Sequence, residues 1–418
     1  MHSGIEPRPP IHGLFIAIGQ LERYGRETPR RRRRDISEKS LSSPEIDAGK
    51  ALLVEVQTRS LPTLQRQLHG LMRSLATGPI NEEESESDRK ITNALEFALQ
   101  LGATLNLIDR SLASLASAPI SEELGFTCKI DHEYGVLKRY KCIDLVQKFD
   151  RLLSREFANL FGLYFSLIEL YHSNIHFPIP AFLSNLDLEV PRLQGKIIKN
   201  TNETCRSIDA IIRSSKGSDF GFLQDLWRVD GNRLGDCHDQ LSESTLRLGT
   251  DSNDPTTSSQ GNLLLNLDRK HRLQRAEPLA LIGVRFFDKL VGTYYAKTSF
   301  TLSPSVSSYD MGCLKKETSG LCAHILKIVR SFTRSGPANE DDLHAEMGKI
   351  LVWSKELSRH FDSSMTLFAF FLIPDPSRID PPFPEDLLRS SFFELRSQLH
   401  LALEQLLAAD RKLETLVD

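Results

Sequence analysis

The chain has 418 residues, 40% of them hydrophobic and 26% charged, with six cysteines and a formal net charge of −3. That length holds two domains with sizeable cores, and those fractions are ordinary for a chain that folds in water. The slightly acidic balance excludes a general nucleic-acid-binding or polybasic membrane surface, and no apolar run approaches the roughly 18 residues that a membrane span needs.

Residues 1–42 are expected to be a disordered basic leader. They hold Pro7, Pro9, Pro10 and Pro29, then Arg30, Arg31, Arg32, Arg33 and Arg34 in a row, then a serine-rich patch. The apolar segment Leu14–Ile18 is too short for a signal-peptide core. The five arginines are a candidate interaction tract, for nuclear import or for phosphate, because a dense positive run attracts acidic surfaces. The plainer reading is a solvated charge run.

An N-terminal helical bundle is expected over 43–248. Ser43-Pro44-Glu45 offers a cap, a proline in the first turn and an acid at the positive end of the dipole. Pro62 breaks or kinks this helix, and Leu61, Leu64, Leu68, Leu71 and Leu75 continue at spacings of 3 and 4. Gly78-Pro79 closes it. The acidic run Glu82–Asp88 then leads into a helix carrying Ile91, Ala94, Ala98, Leu101, Leu105, Ile108, Leu112 and Leu115, which Pro119 ends.

The longest element is predicted from Lys138 to Asn174. Val146, Phe149, Leu153, Phe157, Leu160, Tyr164, Leu167 and Tyr171 keep one side apolar, and Leu145, Leu152, Phe161 and Ile168 widen the stripe to serve more than one neighbour. Pro178 and Pro180 stop it. Leu193, Ile197, Ile208, Ile211 and Ile212 mark a fourth helix. A fifth, over Phe220–Leu248, carries Leu223, Leu226, Trp227, Leu234 and Leu241. Gly221, Gly231 and Gly235 predict a break in it near Val229–Arg233.

Gly249–Gly261 has no large apolar residue and cannot support a core, so residues 249–276 are read as the linker between domains. A C-terminal four-helix bundle is expected over 277–418. Its helices are marked by Leu279, Ile282, Phe286 and Leu290, then by Leu321, Ile325, Ile328 and Phe332. A third starts at Asn339-Glu340-Asp341-Asp342 and carries Leu343, Met347, Ile350, Leu357, Phe361, Phe368 and Phe371, with Ser354 and Ser364 interrupting. The last, from Pro384, carries Leu388, Phe392, Leu395, Leu399, Ala402, Leu406, Ala409, Leu413 and Leu416. Ser299–Ser308 is a loop. Nowhere do apolar and polar residues alternate convincingly, so no sheet is expected. The fold class is all-α: two consecutive antiparallel helical bundles with long amphipathic helices.

The chemistry is sparse. G-x-G-x-x-G, P-loop, H-E-x-x-H and G-x-S-x-G patterns are all missing. Asp230-Gly231-Asn232 resembles the start of a calcium loop, but Leu234 and Leu241 occupy positions that must supply oxygen. Asp236-Cys237-His238-Asp239 is the densest metal-capable run, yet successive helical residues point about 100° apart and cannot converge on one ion. Cys322-Ala323-His324 and His344-Ala345-Glu346 are weaker. With Cys128, Cys142, Cys205, Cys237, Cys313 and Cys322 scattered and no CxxC among them, free buried thiols are the plainer reading. A Cys–His catalytic pair stays open, because such partners meet in space and not in sequence.

Leu61-Pro62-Thr63-Leu64-Gln65-Arg66-Gln67-Leu68 and Leu137-Lys138-Arg139-Tyr140-Lys141-Cys142 resemble an expanded family of all-helical proteins from plant-pathogenic rust fungi, over about residues 51–248. Two consecutive bundles also resemble cyclin-D-binding proteins and other helical adaptors in architecture. Neither resemblance implies an activity on named residues. The expected function is a non-enzymatic helical scaffold or protein-interaction protein with an unidentified protein partner, no cofactor, no metal, no specific nucleic acid and no membrane span. The alternatives are an enzyme with a site between bundle helices and a secreted, host-directed protein. The expected compartment is the nucleus or cytoplasm, with secretion left open.

Overall fold

The computed structural model describes residues 9–31, 41–76, 84–115, 131–176, 180–250, 260–292, 300–333, 340–374 and 392–417. The chain is all-α and divides into two compact units, residues 1–217 and 218–418.

In the first unit, helix α1 (Pro9–Arg31) stands where a disordered leader was expected. Ile11, Leu14, Ala17, Ile18 and Leu21 are buried in the unit's core. The prolines misled the reading: Pro9 and Pro10 sit at the helix start, where a missing backbone donor costs nothing. The helix lies parallel to α4 (Glu84–Leu115) and antiparallel to α6 (Ala158–His176). Gly13 faces Leu95, the Tyr24 hydroxyl donates to the Leu105 carbonyl at 3.3 Å, and Phe15 packs on Phe165 at 4.4 Å. Gly25 permits this crossing, since a Cβ there would sit 2.9 Å from the Leu153 carbonyl oxygen.

Helix α2 (Ser43–Glu55) runs through a π turn at Val56–Ser60 into α3 (Leu61–Ala76). Its cap is Ser42, one residue earlier than expected; the Ser42 backbone N–H donates to the Glu45 carboxylate at 2.8 Å. Pro62 does not break the element. The Leu61 N–H bonds five residues back to Val56, and the widened turn takes up the geometry that the proline imposes. The long helix predicted over Lys138–Asn174 exists as α5 (Arg139–Arg151), a π turn at Leu152–Phe157, and α6. All of its stripe residues named above are buried except Tyr171, which is partly buried. Helix α7 (Pro180–Ser215) completes the unit, with Ile197, Ile208 and Ile211 buried.

Helix α8 (Asp219–Thr250) is continuous, without the break expected near Val229–Arg233, and it belongs to the second unit. It packs antiparallel on α9 (Gln260–Val291), with Gly231 against Phe287 and Gly283 against Leu234. The division therefore precedes this helix instead of falling at 249–276. Residues 260–276 are helical, Pro278 lies inside the helix, and 251–259 fall outside the described residues. Helices α10 (Ser308–Thr333), α11 (Glu340–Phe371) and α12 (Glu394–Val417) follow, so the four helices expected over 277–418 are present among the described residues and α8 joins them in this unit. Its core is aromatic. Phe286 meets Phe287, Phe361, Phe368 and Phe392 with ring centroids 5.3–6.0 Å apart, and Trp227 stands edge-on to Phe368 at 6.0 Å. A two-stranded antiparallel ladder, β1 (Phe300–Leu302) with β2 (Leu372–Pro374), corrects the expectation of no sheet. Three residues per strand are too few to show alternation in sequence.

Candidate functional site

The residues that chemistry would use first are largely committed to packing. Cys205 of α7 and His69 of α3 meet, with Sγ 3.7 Å from Nδ1. That nitrogen also lies 3.0 Å from the Gln65 carbonyl, an arrangement that fixes the ring proton on Nδ1 and leaves no lone pair there to deprotonate the thiol. Burial, aided by the Asp209 charge, pushes the Cys205 thiol up to about 11. Burial likewise raises Cys142 and Cys322 to about 12. Burial outweighs the Lys141 charge at Cys142 and the Arg233 charge at Cys322, so all three thiols are inert. Cys142, Cys205, Cys237, Cys313 and Cys322 are all free, and Cys128 lies outside the described residues.

A second cluster joins α10 to α11. His360 Nδ1 donates to the Glu317 carboxylate at 2.7 Å, and Arg359 reaches its Nε2 at 3.1 Å. His324 stacks on the ring with centroids 5.2 Å apart. A Cβ on Gly320 would meet this ring at 2.5 Å, so glycine is what lets it lie against the α10 backbone. His360 is buried and both its nitrogens are engaged, which leaves no edge for a substrate. Near it, buried Asp230 accepts from the Ser319 hydroxyl at 2.8 Å, and Trp227 Nε1 donates to the Thr318 hydroxyl at 3.1 Å, pinning α8 to α10.

Of the metal-capable runs, Asp236-Cys237-His238-Asp239 lies on α8 as expected, with His238 turned towards Glu277 at 3.6 Å. The residues of the rejected calcium loop are helical too. No three His, Cys, Asp or Glu side chains converge on a point among the described residues. Asp236 and Cys237 instead line a cleft of about 250 Å³ between α8 and α10, where Asp236 partly offsets Arg233 and Arg330. Burial raises Cys237 despite Arg330.

The larger concavity is on the first unit, a cleft of about 460 Å³ between α3 and α4. Arg66, Arg73 and Ser74 line it from α3, and Glu86, Arg89, Lys90, Asn93 and Phe97 line it from α4. These positions fall at helical spacing opposite the buried leucines of each helix, so the residues that fold the hairpin also aim the cations outward. At the floor, a Cβ on Gly70 would sit 2.4 Å from the Phe97 ring, so the ring lies directly on the α3 backbone. Arg66 donates to the Thr63 hydroxyl at 2.8 Å, Arg73 Nε to the His69 carbonyl at 3.4 Å and Arg89 to Glu86 at 2.9 Å. Sequence reading passed over this site because Arg66 and Arg73 stand far in the chain from Arg89 and Lys90, and the two groups meet only across the hairpin. The arginine tract it did single out ends α1 at Arg30 and Arg31, while Arg32, Arg33 and Arg34 lie outside the described residues.

No helix among the described residues is long and apolar enough to cross a membrane. Residues 49–216 match a protein-family model described as a domain of unknown function (DUF8723), and residues 218–408 match a second so described (DUF8721). No curated protein and no solved structure gives a match. The junction of the two matches coincides with the junction of the two units, and Leu64, Leu68, Leu137 and Tyr140, from the two motifs singled out in the sequence, are buried packing residues. The chain is a tandem of two helical domains, one matching each of these uncharacterised families.

Proposed function

We propose that the chain is a non-catalytic helical binding protein whose first unit recognises an anionic partner in the α3–α4 cleft. The observation that carries this reading is the cleft's composition: Arg66, Arg73, Arg89 and Lys90 line it together, Glu86 is the one acidic residue in its described lining, and the chain's net charge is −3. Cations held on two packed helices lose little freedom on binding, and a partly enclosed site strengthens their attraction for an anion. The enzyme reading has less support, because the Cys205–His69 and His360–Glu317 contacts are taken up in helix packing.

A fluorescein-labelled deca-glutamate peptide, followed by anisotropy, tests the reading. Binding should weaken steeply from 50 to 300 mM salt, since screening falls hardest on partly exposed charges. Arg73→Glu together with Lys90→Glu should abolish it without changing the helical circular dichroism. Absence of binding by this peptide and by the phosphates named below would remove the reading.

A further inference from the structure

The charge of the α3–α4 cleft says that its ligand is anionic; the arrangement of its walls says which anion. We propose that the cleft takes a phosphoryl group carried on a compact organic body of about nucleotide size. This rests on the cleft being a binding site, as argued above.

Three features distinguish phosphate from carboxylate. The first is the number and direction of donors. A carboxylate is planar and singly charged, and one guanidinium satisfies it through two parallel bonds. A phosphate ester carries up to two charges on three oxygens directed around a tetrahedron, and it needs donors from several sides. Here Arg66 and Arg73 project from α3, while Arg89, Lys90 and the Asn93 amide project from α4 opposite them. The bonds from Arg66 to Thr63 and from Arg89 to Glu86 each occupy one side of a guanidinium that has five N–H donors, and they set its direction.

The second feature is the floor. The Phe97 ring is held against the helix backbone at Gly70, where any side chain would displace it. A bare ion gains nothing from an aromatic face, whereas the body of an organic phosphate can lie on it. The third is size. At about 460 Å³ the cleft falls within the range of sites that hold small organic ligands, and a lone phosphate would fill only a small part of it.

Calorimetric titration of the full chain with inorganic tripolyphosphate, adenosine triphosphate without magnesium, and deca-glutamate tests the assignment. Both phosphates should bind, the nucleotide about tenfold more tightly through the ring contact. Phe97→Leu should lower nucleotide binding to the level of tripolyphosphate, and Arg73→Glu with Lys90→Glu should abolish both. If that double variant does not fold, Arg89→Gln, at an exposed position of α4, should weaken both phosphates at least fivefold. Deca-glutamate binding without phosphate binding would overturn the phosphoryl assignment and leave the anion-binding reading standing. Failure of all three ligands would overturn both. Phosphate binding indifferent to the arginine and lysine variants would place the ligand elsewhere and end this inference, as would equal affinities for the two phosphates.

Discussion

Replacing Phe157 by alanine tests the architecture at its centre. The ring is fully buried at the last position of the π turn Leu152–Phe157, 5.4 Å from the Phe161 ring. Helix α1 packs on this same turn, with Gly25 closing against the Leu153 carbonyl, so the site has little room to collapse around a missing ring. Phenylalanine-to-alanine changes in such sites cost about 3–5 kcal/mol, from lost transfer energy and the cavity left behind. For a unit of 217 residues each kcal/mol moves the melting temperature by about 2–4 °C, so a drop of about 6–20 °C is expected. Thermal unfolding followed by circular dichroism measures it, with Arg155→Ala, exposed on the same turn, as a control expected to melt within about 2 °C of the parent. If Phe157→Ala melts with the control, the stripe from Val146 to Tyr171 does not face a core and the derivation of the first unit fails.

Separate chains of residues 1–217 and 218–418 should each melt cooperatively, whereas a chain starting at Asn262 should not, because it lacks the α8 helix that covers α9; a cooperative melt of the shorter chain would restore the boundary at 249–261. The His324 ring, held below its ordinary value of 6.5 chiefly by burial, with Lys327 and His360 adding to the effect against the Gly320 carbonyl and Glu356, should make the second unit lose stability on acidification. Both states are neutral above 6.5; below it the unfolded chain takes the proton first, so stability falls from there and levels once the folded ring is charged as well. His324→Gln should lessen the drop in melting temperature between pH 7 and 5, and an unchanged drop would assign it to other groups. Serine at Arg30, Arg31, Arg32, Arg33 and Arg34 together should leave the melting temperature of the first unit nearly unchanged, since α1 is held through Ile11–Leu21 and Gly25, and should reduce salt-sensitive binding to acidic surfaces; a large loss of stability would show the tract to be packed.

The sequence by itself determined the class and most of the core. Spacings of 3 and 4 named Leu61–Leu75, Ile91–Leu112 and Val146–Leu167 as inward faces, and those residues are buried because an apolar stripe on a helix has no other way to leave water. Prolines and glycines were read less well, since their effect depends on what surrounds them. Pro9 and Pro10 open a core helix, Pro62 follows a π turn, Pro278 lies within α9, and Gly231 admits Phe287 in place of breaking α8. The boundary was misplaced for a related reason. A polar stretch such as 249–261 shows only that its residues bury little, and whether it joins two domains or two helices of one depends on the partner of the preceding helix. The cleft could not be read in the chain at all. Arg66, Arg73, Arg89 and Lys90 are ordinary surface cations in sequence, and only the approach of α3 to α4, allowed by Gly70 under Phe97, brings them around one space.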